Sequence, residues 1–298
     1  MTGDLGYFGP ESATWRVHAE PLTMVGGLRA LLLQALHPEA MRLLYEKSSF
    51  QDDPWARLQA TVQYVATVTF GTIAEVKAAA AHVRAVHRHL GITDVEQLAW
   101  VHACEVDSFL VAARYAGVRL SADDADRYLD EQVQAAVLVG VPDELAPRST
   151  AELDAYFAAM RPRLRLTAEA RAAARVVIAP PLPVPRRWAL PARAGWTTLS
   201  SLAVGLLPAW ARRLYLLPSV PGIGLTTRGG MLAVRTAVAT LPETWKHGPH
   251  YHRAMARVAA AQSAQSAHSD QSAQSASSVE SASSVANPPQ GSMSDAAS

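Results

Sequence analysis

The chain has 298 residues, of which 49% are hydrophobic and 18% charged, and its formal net charge is +1. That length suffices for a substantial buried core, and the near-neutral charge without a basic run argues against a nucleic-acid partner. Cys104 is the single cysteine, which excludes an internal disulfide, and an inert buried thiol is the better interpretation of it.

Apolar residues recur with helical spacing through most of the chain, and the alternating pattern of strands is nearly absent. The sequence therefore predicts an all-α fold, with serine or threonine at several helix starts and glycine after several last turns. The first six predicted helices are Leu22–Leu36, Pro38–Lys47, Pro54–Phe70, Thr72–Leu90, Asp94–Tyr115 and Ser121–Val139. Later helices are predicted to begin at Ser149 or Thr150, at Thr167 and at Thr226, and a short last helix to end near Ala261.

A Ser/Ala/Gln-rich tract occupies residues 262–298 and cannot bury enough apolar area to fold. We therefore predict one helical domain over residues 1–261 and a disordered tail over 262–298. No secretory signal is recognised, and the most apolar segment, Ala194–Ala211, is interrupted by two glycines and a proline. These features favour a cytoplasmic protein.

Arg57 and Thr61 are polar residues on an otherwise apolar helix, and their spacing of four places them on one face, one turn apart. A guanidinium in apolar surroundings needs a partner, because an unpaired buried charge is costly. A salt bridge to Asp52 or Glu20 would supply one. A functional site is the other interpretation, and the spacing alone leaves both open.

His102 lies in the segment W-V-H-A-C-E-V-D-S-F-L, on a helix face that also carries Leu98, Val106 and Phe109. A histidine on such a face is most often a hydrogen-bonded core residue. A neutral imidazole is also the usual axial donor to haem iron in an apolar pocket. No C-x-x-C-H segment occurs, so a haem here would be held non-covalently.

Other chemical motifs give weaker signals. His247, His250 and His252 could form a metal site, but they stand without adjacent acidic or cysteine ligands. The fingerprints of serine hydrolases, P-loop NTPases, zinc proteases and dinucleotide-binding domains are absent from the sequence.

Several segments, in their order and spacing, resemble the DUF2236 family, whose members include the rubber oxygenase (latex clearing protein) and the fungal MpaB oxygenase. They are W-R-V-H-A-E-P, G-G-L-R-A-L-L-L-Q-A-L-H-P, D-D-P-W-A-R-L-Q-A-T-V-Q-Y-V-A-T-V-T-F-G, W-V-H-A-C-E-V-D-S-F-L and L-P-A-W-A-R-R-L-Y. The resemblance extends over residues 10–257.

This resemblance implies a globin-like helical core with additional helices that binds haem b. It implies His102 as the axial ligand of the iron, and Arg57 and Thr61 as catalytic and cofactor-binding residues near the haem. O2 would then act on a small hydrophobic substrate, isoprenoid or terpenoid in character, with oxidative cleavage of a C=C bond. The iron-capping lysine of the rubber enzyme would fall near Ala60, so its closed state is not expected here, and a role for His87 is not implied.

A non-catalytic helical module that binds a lipid or a membrane surface is the alternative function. The segment Trp188–Leu217 contains Trp188, Trp196 and Trp210 with flanking arginines, a composition that suits an interface. The same tryptophans could instead complete the core. We therefore expect a haem oxygenase, with peripheral membrane contact left open.

Overall fold

The structure is a computed structural model that describes residues 4–47, 53–218 and 220–285, with side chains described to residue 269. Within these ranges every regular element is helical, which confirms the all-α prediction. The first seven helices are α1 (Ala13–His18), α2 (Thr23–Gln34), α3 (Pro38–Lys47), α4 (Pro54–Phe70), α5 (Ile73–Leu90), α6 (Val95–Tyr115) and α7 (Ala122–Val139). The others are α8 (Thr150–Met160), α9 (Ala168–Ile178), α10 (Ala189–Gly205), α11 (Ala209–Leu214), α12 (Ile223–Ala239), α13 (Glu243–Lys246) and α14 (Pro249–Val285).

Local sequence signals set most helix ends. The hydroxyls of Thr72 and Ser121 cap α5 and α7, and each belongs to a capping box with the acidic residue three positions later. Gly91 and Gly140 follow the same two helices in the left-handed conformation, with φ of 72° and 98°. These signals explain why the predicted helix boundaries lie within one or two residues of the observed ones here.

Helix α6 is the centre of the core, and α2 packs against it more extensively than any other helix does. The close approach needs Gly26, because a Cβ there would lie 2.7 Å from the Ser108 carbonyl oxygen. Twelve residues of α6 are buried, so this helix is apolar almost all round.

A buried charge also ties α2 to its neighbours. Arg29 is 3% exposed, and its guanidinium pairs with Asp107 at 2.7 Å. It also donates to the Ser108 hydroxyl at 2.6 Å and to the Leu206 carbonyl at 2.9 Å. The cation is therefore compensated from both α6 and the end of α10, as a buried arginine requires.

Two elements and two boundaries differ from the prediction. One of these boundaries is the start of α12, which lies at Ile223, three residues before the expected Thr226. The sequence pattern did not predict the short helices α1 and α13. The last helix, expected to end near Ala261, continues to Val285, and the remainder of the predicted tail lies outside the described residues. The chain divides into two units, Leu5–Ala254 and a second unit that includes the chain from Met255 onward. The site below lies in the larger unit.

No helix among the described residues is both long enough and apolar enough to cross a bilayer.

Candidate functional site

His102 sits near the middle of α6, on the most buried helix of the molecule. Asp94 starts this helix by accepting hydrogen bonds from the backbone of Glu96 at 2.9 Å and Gln97 at 3.3 Å. No glycine or proline interrupts the following 21 residues. His102 is 7% exposed, so the sequence prediction of a buried imidazole is correct.

Burial lowers the pKa of His102 from 6.5 to about 4. Its imidazole is therefore neutral at pH 7. Among the described residues, neither ring nitrogen makes a hydrogen bond with a protein group, so the expected core-histidine hydrogen bond is missing. A neutral imidazole with a free lone pair is the form that binds a metal.

His18 and His37 show by contrast why His102 is the ligand candidate. His18 has both nitrogens occupied, at 2.7 Å from the Thr69 hydroxyl and 3.0 Å from the Tyr128 hydroxyl. His37 accepts the Ala40 N–H at Nδ1, which leaves its proton on Nε2. Neither of these two rings has an unprotonated nitrogen without a partner.

Helix α4 supplies Arg57 and Thr61. Asp53 starts it by accepting the Ala56 N–H at 2.9 Å, and Pro54 occupies the first turn. Although the sequence of this helix is largely apolar, only its last three residues, Val68–Phe70, are buried. Its first turns border open space instead of core.

Arg57 keeps more than a third of its surface exposed, yet desolvation by the surrounding protein lowers its pKa. Both observations fit a guanidinium that the neighbouring protein surrounds in part. Of the two salt-bridge partners considered from the sequence, Glu20 pairs with Arg235 at 3.0 Å. Asp52 lies outside the described residues.

Thr61 is exposed, and its hydroxyl donates to the backbone carbonyl of Arg57 at 3.1 Å. This is the local bond that helical threonines commonly form with the preceding turn. In this geometry the Thr61 oxygen can accept a hydrogen bond from a ligand. It would have to rotate in order to donate one.

The next helix connects these residues to His102. On α5, the positive charge of Arg57 lowers the pKa of His87, after the larger effect of burial. On α4, burial raises the pKa of Tyr64, and the nearby Glu105 carboxylate raises it further while Arg84 opposes it. Facing sides of α4, α5 and α6 are therefore within electrostatic reach of one another.

Two polar atoms in this region are buried without a hydrogen-bond partner: the Tyr64 hydroxyl and Nδ1 of His87. Leaving such a group unpaired costs about 1–3 kcal/mol, so unpaired atoms cluster where a ligand supplies the missing bond. Neither residue was predicted as a site residue. The only indication in the sequence was the spacing of Tyr64, which lies on the same helix face as Arg57 and Thr61.

Glu105 follows His102 by three residues and so lies on the same side of α6. Burial raises the pKa of this carboxyl from 4.5 to about 7. Within the described chain it has no hydrogen bond or ion pair. It is thus a proton-exchanging group beside the candidate ligand, and the sequence showed it only as a polar residue at the edge of an apolar face.

Comparison with known proteins bears on what this site is for. Residues 15–241 match the family described as ER-bound oxygenase mpaB/B'/rubber oxygenase, catalytic domain. The chain belongs to this family. No match was found among the curated proteins or among the solved structures.

The family places the protein among the oxygenases, in agreement with the resemblance seen in the sequence. The residues of the site fit a haem group. His102 offers a neutral nitrogen in an apolar helix, Arg57 offers a cation for a propionate, and Tyr64 and His87 carry unpaired buried polar atoms. The donor set also suits iron in a porphyrin, which takes a single protein nitrogen on one face.

The histidines near the end of this oxygenase domain do not assemble a metal site. Across the described ranges no three His, Cys, Asp or Glu side chains come together in a metal-ligating group. His247 stacks on Tyr251 at 4.2 Å between ring centroids, and His250 bonds to Gln63 at 2.8 Å. A metal site at these three histidines is therefore not supported.

Cys104 is buried, and desolvation raises the pKa of its thiol. The expectation of a buried thiol is confirmed, and a raised pKa is the property expected of an unreactive one.

Proposed function

We propose that this member of the family is a haem b-dependent oxygenase that uses O2 on a small hydrophobic substrate, and that His102 would hold the haem iron. The observation that carries the proposal is the buried, neutral and unpaired imidazole of His102 in a chain of this oxygenase family. When bound, haem b would supply the redox chemistry toward O2. The chain's own residues would hold the cofactor, donate hydrogen bonds and exchange protons.

Arg57 would hold the cofactor's carboxylates. A guanidinium that the protein surrounds in part can form a charge-assisted hydrogen bond with them, and partial desolvation strengthens such a bond. Thr61, one turn further along α4, offers a hydroxyl oxygen in the same direction. In this proposal His102 decides whether the cofactor binds, and the two α4 residues tune its environment.

Tyr64 would donate a hydrogen bond in the site, and Glu105 would exchange a proton there. The raised pKa of Tyr64 keeps its phenol protonated, so its unpaired O–H can donate to a developing negative charge on the substrate. Glu105, with a pKa of about 7, can both release and accept a proton at neutral pH. A carboxyl with this property is what a general acid or base requires.

The walls of the site favour an apolar substrate. Leu98, Val106 and Phe109 share the α6 face of His102 and are at most 9% exposed. They exclude water and offer no hydrogen bonds to a polar substrate. An unsaturated hydrocarbon of isoprenoid character fits this environment, and we propose oxidative cleavage of its C=C bond.

The test is spectroscopic. The protein expressed with haem supplied should show a Soret band, and His102→Ala should lose it. Adding free imidazole to His102→Ala should restore haem binding, since imidazole can replace the deleted side chain at the iron. His82→Ala, a substitution of an exposed histidine on α5, is the control and should bind haem normally.

Two results would overturn the proposal. One is a wild-type protein that stays colourless with haem in excess. The other is a His102→Ala variant that folds normally by circular dichroism and keeps the haem content and spectrum of the wild type.

A further inference from the structure

An open cleft of about 700 Å³ lies at the C-terminal end of α6, where the chain turns into α7 and where α12 packs across. Three of its lining residues are arginines: Arg114, Arg119 and Arg228. The one carboxylate in the lining is Asp124. None of the residues of the proposed haem site lines the cleft, although Arg114 belongs to the same helix as His102.

The carboxylates in and near the cleft do not neutralise its arginines. Asp124 is already paired with Arg16 at 2.8 Å and caps the start of α7. Arg114 has Asp126 nearby, and that carboxylate is itself hydrogen-bonded to Thr150. For Arg119 and Arg228, no carboxylate within ion-pair distance is found in the part of the chain that the structure describes.

Exposed leucines border this cationic cleft. Leu225, Arg228 and Leu232 follow one another at spacings of three and four on α12, so they share one face of that helix. Leu225 is 79% exposed and Leu232 is 39% exposed. A Cβ placed on Gly117, which lines the cleft, would lie 3.3 Å from the Leu232 side chain, so this leucine adjoins the cleft.

The segment that leads into α12 is also apolar and exposed. Leu216 is 80% exposed and Val220 is 53% exposed. Leu216 has φ of 57°, a left-handed conformation that no other non-glycine residue adopts within the described ranges. This conformation is unfavourable for a leucine, and the exposed side chain gains no burial that would offset it.

The tryptophan-rich segment predicted from the sequence is a weaker candidate for an interface. Trp196 contacts Trp55 at 5.1 Å between ring centroids and donates to the Val177 carbonyl. Trp210 packs on Phe157 in the core. Only Trp188 of the three is exposed, at 57%.

We propose that the α12 face docks on the surface of an anionic phospholipid bilayer, with lipid phosphates against Arg119 and Arg228 and with Leu225 and Leu232 in the apolar boundary. Unpaired arginines beside exposed leucines have the chemistry of an interfacial contact with acidic lipid. The surface does not depend on the proposed haem site. Docking there would bring the enzyme to the lipid bilayer, in which a hydrophobic substrate dissolves.

Vesicle flotation of the full chain tests this proposal. The protein should float with phosphatidylcholine vesicles that contain about 30% phosphatidylserine, float less with phosphatidylcholine alone, and detach at high salt. Arg228→Ala should weaken binding about fivefold. Leu225→Ser should weaken it about tenfold, because an inserted leucine loses its transfer from water.

Matched controls come from the N-terminal end of α10. Leu190 is 81% exposed, as open as Leu225, and Arg193 is also exposed. Leu190→Ser and Arg193→Ala should leave vesicle binding unchanged. Both test residues are on the surface, so circular dichroism should show the same fold for all four variants.

Three outcomes would overturn the proposal. The first is absence of vesicle binding, and the second is loss of binding in the α10 controls in place of the α12 variants. The third separates a lipid surface from a site for a free anion: millimolar inorganic phosphate binds at Arg228, seen as chemical-shift changes that Arg228→Ala abolishes, while vesicles do not bind.

Discussion

Glu105 gives the stability of the protein a pH dependence that one substitution should reveal. Burial raises the pKa of its carboxyl from 4.5 to about 7, so the folded chain binds this proton more tightly than the unfolded chain does. The contribution of this carboxyl to the free energy of unfolding is therefore complete below pH 4.5 and is lost as the pH rises through about 7.

The magnitude follows from the interval between the two pKa values. Each tenfold change in proton affinity is worth about 1.4 kcal/mol, which gives about 3 kcal/mol for the interval from 4.5 to about 7. Glu105 is only half-buried by its surface exposure, and solvent screening reduces the effect to about 2 kcal/mol. Glu105→Gln removes the ionisation, so at about pH 8.5 the variant should be more stable than wild type by about 2 kcal/mol.

The assay is urea denaturation of the haem-free protein at several values from about pH 4.5 to 8.5, with the difference in free energy of unfolding between variant and wild type plotted against pH. Subtracting the wild type removes the other titrating groups. The difference should rise from about pH 4.5 to about pH 7 and level off above that. Glu144→Gln, at an exposed position, is the control and should give a flat difference. A flat difference for Glu105→Gln as well would refute the argument that burial shifts this carboxyl.

Two further predictions concern the contact between α2 and α6. Gly26→Ala should lower the free energy of unfolding by about 2 kcal/mol because its Cβ meets the Ser108 carbonyl, whereas Gly27→Ala, with no atom nearer than 3.9 Å, should be neutral or stabilise by up to about 1 kcal/mol. Asp107→Ala should lower the free energy of unfolding by about 3–5 kcal/mol, because it leaves the Arg29 cation buried without its counter-charge. Urea denaturation at neutral pH measures both.

The control for the second of these is an exposed pair of the same chemistry. Arg42 pairs with Glu46 at 2.9 Å on the surface of α3, and Arg42→Ala should cost less than about 0.5 kcal/mol. Equal losses from Arg42→Ala and Asp107→Ala would contradict the role given to burial.

The helices could be predicted because their signals are local. The capping box at Thr72 and the glycine at residue 91 define α5 from residues that are neighbours in sequence. Helix α1 has one local signal, since the Ser12 hydroxyl accepts the Trp15 N–H at 3.1 Å, but it is too short to show a helical period. It has only six residues, and Glu131 on α7 caps its first backbone N–H groups at 3.1 and 2.7 Å from far along the chain.

The candidate site was predictable only in part, for the same reason. The periodicity of α6 places His102 in the core, and the family resemblance names it as a ligand. The electrostatic contact between Tyr64 and Glu105 joins helices separated by a third one, and no spacing in the sequence encodes it. The open surroundings of Arg57 were likewise unpredictable, since an apolar helix pattern does not tell whether a neighbour covers it.

The partners of Arg29 have a consequence for how the chain folds during synthesis. Ser108 follows Arg29 by 79 residues and Leu206 follows it by 177. At roughly 5–20 residues per second, the last of these partners leaves the ribosome on the order of ten seconds or more after the arginine does. Through that interval α2 cannot complete its burial. The N-terminal helices should therefore stay accessible to chaperones and proteases until α10 has been made, and truncated chains that end before it should not reach the native core.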